Sequence, residues 1–265
     1  MNCQSRKIFP ACYAASASFK IDSNKSMAYY TQGLHMSKHT DSNRYNSSAH
    51  PHRIRVWDLP TRLFHWLIVI FVVVSFTTGM AGGNWMTYHL KSGFIIFTLL
   101  LFRLIWGFWG GRYSRFIAFF RGPAAVMGYA KTLFRKDSPK ILGYNPMGGW
   151  SVMAMLAALA VQVGTGLFAN DDIATQGPLY GWVGKATSDW LTGIHVFNKG
   201  VILFLIALHI SAVLFYLFIK HDNLIVPMVT GLRPWREPAP SSNYKIWRAV
   251  LAAALSIMGV CWLVL

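Results

Sequence analysis

From Leu63 to Leu90 the chain carries no Lys, Arg, Asp or Glu. A helix of about 20 apolar residues crosses the hydrocarbon of a bilayer, so an uncharged run of this length has few soluble alternatives. Its core, Leu63–Met80, predicts a first membrane span, and Gly82-Gly83-Asn84 predicts the turn that follows. Further apolar segments predict spans over about Tyr88–Trp109, Met147–Phe168, Trp190–Phe218 and Ile246–Leu265. Composition agrees: 54 % of residues are hydrophobic and only 13 % charged, about half the charged share of soluble domains. The expected fold is an all-α integral membrane protein, an up-and-down four-helix transmembrane bundle with a fifth, C-terminal span.

The charge is lopsided, with 25 Lys and Arg against 9 Asp and Glu. In a soluble chain such an excess suggests nucleic acid; between membrane spans it marks the cytoplasmic loops, and no nucleic-acid partner is expected. Three basic residues precede span one, seven follow span two and four follow span four, so 14 lie on one side. The N-terminus is therefore expected in the cytoplasm and, with five spans, the C-terminus outside. Residues 1–52 are polar and read as a disordered tail. Residues 53–232 form the expected core, and 233–265 a linker with the last span. Gly122-Pro123 opens a short helix whose apolar stripe includes Val126, Ala130 and Leu133. It either lies on the membrane surface or packs on the end of the bundle. Cys3, Cys12 and Cys261 make no CxxC and no ligand cluster.

The histidines carry the chemistry. Ionisable residues in hydrocarbon are costly and face the bundle interior with a partner. His65, His89, His195 and His209 lie in or at the spans. His195 and His209 are 14 residues apart on one span, a rise of about 21 Å on nearly the same face. With alternating spans, depth pairs His89 with His195 on the outer side and His65 with His209 on the inner side. Two imidazole pairs, one above the other, suit two haems, each with a histidine on either axial face. Zinc wants more ligands per site, and a proton relay would add carboxylates that the span interiors lack. Small residues such as Gly79, Gly93, Gly164 and Gly166 allow close approach by a flat cofactor or by another helix. Arg103 lies 14 residues beyond His89, on the same face near the inner pair. It is expected either to meet a propionate of the inner haem or to snorkel to the interface. The outer stretch Asn170-Asp171-Asp172, with Tyr180, Trp182 and Trp190, is either a dock for a basic partner or an ordinary outer loop.

Arg55-Val-Trp-Asp-Leu-Pro-Thr-Arg-Leu-Phe-His65-Trp66, ahead of an apolar span, resembles the start of the bacterial cytochrome b561 family. That family includes the b-type cytochrome subunits of nickel–iron hydrogenases. His89-Leu-Lys-Ser-Gly93 resembles its second-span motif, and His195 with His209 its fourth-span pair. The resemblance covers roughly Arg53–Leu232. It implies two b-type haems held by His65, His89, His195 and His209, in the bacterial inner membrane. It also implies respiratory electron transfer between a membrane quinone and a redox partner on the periplasmic side, a c-type cytochrome or a dehydrogenase or hydrogenase subunit. Alternatives are the anchor subunit of a hydrogenase or dehydrogenase, a superoxide:quinone oxidoreductase and, outside redox chemistry, a proton-coupled transporter.

Overall fold

The computed structural model describes residues 52–135 and 140–264. The reading of residues 1–52 as a disordered tail, with Cys3 and Cys12, lies outside the described residues except at its last position, His52, which begins a short strand. Among the described residues, five helices are long and apolar enough to cross a membrane. They are α1 (Leu59–Ala81), α2 (Met86–Trp109), α5 (Pro146–Gly166), α6 (Lys185–Phe218) and α8 (Ile246–Val264). Short helices α3 (Phe116–Phe119), α4 (Pro123–Thr132) and α7 (Ile225–Thr230) connect them, and two short strands, β1 (His52–Arg55) and β2 (Leu232–Trp235), pair antiparallel. The long helices alternate in direction. One end of the bundle, here the lower end, carries the starts of α1, α5 and α8 and the ends of α2 and α6. The upper end carries the α1–α2 turn and the 167–184 segment.

Local sequence fixes the helix ends. Asp58 is extended and caps α1, accepting from the Thr61 amide at 2.9 Å, with Pro60 in the first turn. Asn145 caps α5 in the same way, accepting from the Gly148 amide at 2.7 Å with Pro146 behind it. Ile96 and Leu100 of α2 meet Leu156 of α5, and Phe64, Ile68 and Phe71 of α1 close around them. α8 lays a stripe of Ala249, Ala252, Ser256 and Val260 against α2, so the fifth span belongs to the bundle. The helix after Gly122-Pro123 packs on the bundle end. Tyr129 of α4 is buried and meets the Tyr216 hydroxyl of α6 at 2.8 Å, while the Asn145 amide donates to the same hydroxyl at 2.9 Å.

Asp58 does more than cap. Fully buried, its carboxylate also accepts from Trp106 Nε1 at 3.2 Å, the Gly111 amide at 3.1 Å and Ser114 Oγ at 2.7 Å. One side chain thus ties the start of α1 to the end of α2. Replacing Asp58 with alanine leaves these buried donors without an acceptor, each at about 1–3 kcal/mol. We expect Asp58→Ala to lower the thermal midpoint in detergent sharply, by far more than Asp171→Ala, whose carboxylate lies in an exposed loop. Similar midpoints for the two variants would refute this role.

Candidate functional site

The structure brings the four predicted histidines together in two pairs. At the upper end, His89 in the first turn of α2 faces His195 of α6, with ring centroids 6.0 Å apart. At the lower end, His65 of α1 faces His209 of α6, at 6.5 Å. Sequence depth alone left His65 closer to its helix end than His209. The start of α1 at Leu59, capped by Asp58, removes about half of that difference.

The upper imidazoles are oriented by matching devices. His89 Nδ1 lies 2.8 Å from the Ser75 carbonyl of α1, and His195 Nδ1 lies 2.9 Å from the Gln162 carbonyl of α5. A carbonyl only accepts, so Nδ1 carries the proton in both rings and Nε2 keeps a free lone pair. Three residues after each carbonyl stands a threonine bonded back into its own helix: Thr78 to Val74 at 2.6 Å, Thr165 to Val161 at 2.7 Å. Next comes a glycine. A Cβ on Gly79 would lie 2.8 Å from His89 Nδ1, and one on Gly166 would lie 3.0 Å from His195 Cε1. Real Cβ atoms do not approach so closely without displacing the ring. The α1–α2 pair therefore repeats in the α5–α6 pair. In the sequence the repeat shows only as Thr78-Gly79 and Thr165-Gly166, of which the glycines stand out merely as small residues.

Between the upper rings lies a cavity of about 570 Å³, lined mostly by apolar groups from α1, α2, α5 and α6. That volume is within the range of cofactor pockets. Lys199 also lines it, one turn along α6 from His195; its Nζ sits 3.6 Å from Met80 Sδ. Since helical side chains lean toward the helix N-terminus, this ammonium reaches up toward the pocket mouth. It forms no ion pair among the described residues.

Arg103 is 1 % exposed and does not snorkel to the interface. Its guanidinium stands 5.0 Å from the Phe116 ring, beside Tyr144. Among the described residues no anion pairs with it; the Tyr144 hydroxyl is its polar neighbour, Nη1 and Nη2 make no close hydrogen bond, and neither does the buried Nδ1 of His65. Burial pushes the Tyr144 hydroxyl above its ordinary pKa, while the nearby Arg103 cation pulls it back. The acidic stretch at the upper end is hydrogen-bonded and ion-paired within the chain. Asp171 accepts from three amides of its own loop, which hold its carboxyl down at about 2. Asp172 and Asp189 share Lys185. Trp182 in this loop and Trp190 in the first turns of α6 are exposed.

Among the described residues no three His, Cys, Asp or Glu side chains cluster as a metal site. Each level offers two imidazoles, and the upper pocket also holds the Lys199 cation, a donor set suited to haem.

Residues 56–231, about two thirds of the chain, match the family model described as prokaryotic cytochrome b561. The chain is 25 % identical over 224 residues to the probable Ni/Fe-hydrogenase B-type cytochrome subunit of Azotobacter vinelandii, covering 71 % of this chain and 91 % of that protein. It is 24 % identical over 221 residues to the probable Ni/Fe-hydrogenase 1 B-type cytochrome subunit of Escherichia coli K12, covering 67 % and 89 %. No solved structure matches significantly. The chain therefore belongs to the prokaryotic cytochrome b561 family, as a multi-pass membrane cytochrome b of electron transfer.

Proposed function

We propose that the protein holds two b haems in series, one between His89 and His195 and one between His65 and His209, and moves electrons between a hydrogenase-type redox subunit and a membrane quinone. One observation carries the reading: four imidazoles form two cross-helix pairs, with centroids 6.0 and 6.5 Å apart. An imidazole nitrogen binds a transition metal at about 2 Å, so two such bonds plus roughly 1 Å for each half-ring span roughly 6 Å. Haem supplies the one-electron redox chemistry, and the protein sets its orientation, access and potential. Ser75 and Gln162 hold the upper imidazoles in the tautomer that presents Nε2. In this reading Lys199 meets a haem carboxylate at the upper level and Arg103, deeper along α2, one at the lower, and the apolar lining of the upper pocket excludes water.

The 14 basic residues of the lower-end segments support a cytoplasmic lower end and an inner-membrane location. The upper level then lies toward the periplasm. The names of the relatives support a hydrogenase-type partner, and membership in a cytochrome family weighs against the proton-coupled transporter. Purified protein should give two haems per chain in a pyridine haemochrome assay, and the reduced form should be reoxidised by a short-chain quinone. One haem per chain would refute the two-level arrangement, while two haems with no quinone reactivity would refute the quinone assignment alone.

A further inference from the structure

At the lower end, away from the histidines, a second cavity of about 340 Å³ lies between the end of α2 and the start of α8. Three cations from two segments line it: Arg115 after α2, and Lys245 and Arg248 at the start of α8. No carboxylate lines it, and none of the three forms an ion pair among the described residues. The buried carboxylate at this end, Asp58, is already engaged by Thr61, Trp106, Gly111 and Ser114. Like charges converging on one cavity repel one another unless an anion joins them.

The rest of the lining identifies the anion's surroundings. Phe108 is 71 % exposed and Trp109 47 %, at the end of a membrane span. Trp247, beside Arg248, is exposed as well, and the Arg248 guanidinium stands 5.6 Å from its ring. Aromatic side chains at span ends mark the headgroup level of a bilayer. Tyr244 also lines the cavity, and its ring is braced edge-on against buried Trp106 at 6.0 Å, so the mouth of the cavity is built on the core. Basic pockets between membrane helices at this level bind anionic lipid headgroups.

We infer that Arg115, Lys245 and Arg248 form a binding site for the phosphodiester headgroup of an anionic phospholipid, whose acyl chains run along Phe108 and the outer face of α8. A free phosphate satisfies the cations alone; a phospholipid satisfies the cations and the apolar rim together. Asn243–Arg248 lie beyond the 56–231 region shared with the family, so the site depends on this chain's fifth span. The site pins α8 to the bundle at the interface.

The test compares the wild-type protein, the double variant Arg115→Gln/Arg248→Gln, and a control double variant, Arg112→Gln/Lys131→Gln, that removes the same charge elsewhere at the lower end. Each is titrated with phosphatidylglycerol, phosphatidylcholine or inorganic phosphate, and bound lipid is read by native mass spectrometry. The wild type and the control should retain phosphatidylglycerol and reject phosphatidylcholine. Two interfacial charges at about 1 kcal/mol each predict about thirtyfold weaker retention in the site variant. Its haem absorbance should stay unchanged, which shows that the bundle is intact. Equal retention by all three proteins, or equal loss in both double variants, would overturn the site. Binding of inorganic phosphate as tight as that of phosphatidylglycerol would overturn the lipid assignment.

Discussion

His195→Ala should leave the protein with one haem per chain in place of two, with the lower-level spectrum intact. A haem between two imidazoles loses one of its two protein bonds to iron; the other polar groups of the pocket, Lys199 and Met80 among them, stand away from the His195 ring, with Lys199 Nζ against Met80 Sδ at 3.6 Å. Gln162 and Thr165 stay engaged without His195: the Gln162 side-chain oxygen accepts from Asn198 Nδ2 at 2.8 Å, and Thr165 bonds back to Val161 at 2.7 Å. His89→Ala should act at the same level, whereas His65→Ala and His209→Ala should remove or loosen the lower haem. Exogenous imidazole should restore part of the six-coordinate spectrum to His195→Gly, because the deleted side chain leaves an imidazole-sized space. Gly166→Val should mimic the loss without touching a ligand, since its side chain would occupy the position of His195 Cε1, 3.0 Å from the Cβ site. Two haems retained in His195→Ala, counted by the pyridine haemochrome assay, would reassign that ligand. Loss of both haems together would mean that the levels do not load independently.

What could be read from the sequence follows from what leaves a local trace. Spans were legible because hydrocarbon demands long uncharged runs, and the levels of the four histidines because α-helical rise is fixed at about 1.5 Å per residue. The structure extends these readings where neighbours decide. α6 begins at Lys185, several residues before the apolar run, because Ser188 and Asp189 bond to Asn170 and hold the first turns together. β1 and β2 have only four residues each, and their Arg-rich sequences carry no strand signature of their own. They pair because the chain returns Leu232–Trp235 to the start of the core. Asp58 looked like part of a motif ahead of a span; that it gathers Trp106, Gly111 and Ser114 depends on contacts some 50 residues away. The upper cradles sat between these cases. Thr78-Gly79 and Thr165-Gly166 are local pairs, but their meaning emerges only when the histidine of the next helix packs against them.

Arg103→Gln should lower the midpoint potential of the lower haem by tens of millivolts and leave the upper one nearly unmoved. The residue lies within a span at 1 % exposure, and its Nη1 and Nη2 make no close hydrogen bond. A buried cation without a counter-ion costs several kcal/mol, and the neutral Tyr144 hydroxyl beside it offsets only part of that, which favours an anion at the guanidinium. Asp58 is near enough to act on Tyr144 electrostatically, as Arg103 does, but its oxygens are taken by four donors. The π-face of Phe116, at 5.0 Å, offsets only part of the cost. A haem propionate supplies a carboxylate matched to the guanidinium fork. The sign follows from charge: a nearby cation favours the reduced, less positive iron, so removing it lowers the potential. Lysine restores the charge without the fork, so Arg103→Lys should recover part of the shift. A purely structural arginine predicts a different pattern, a lower melting temperature in both variants with both potentials unchanged. Redox titration of the two haems, with thermal melting alongside, separates the two outcomes.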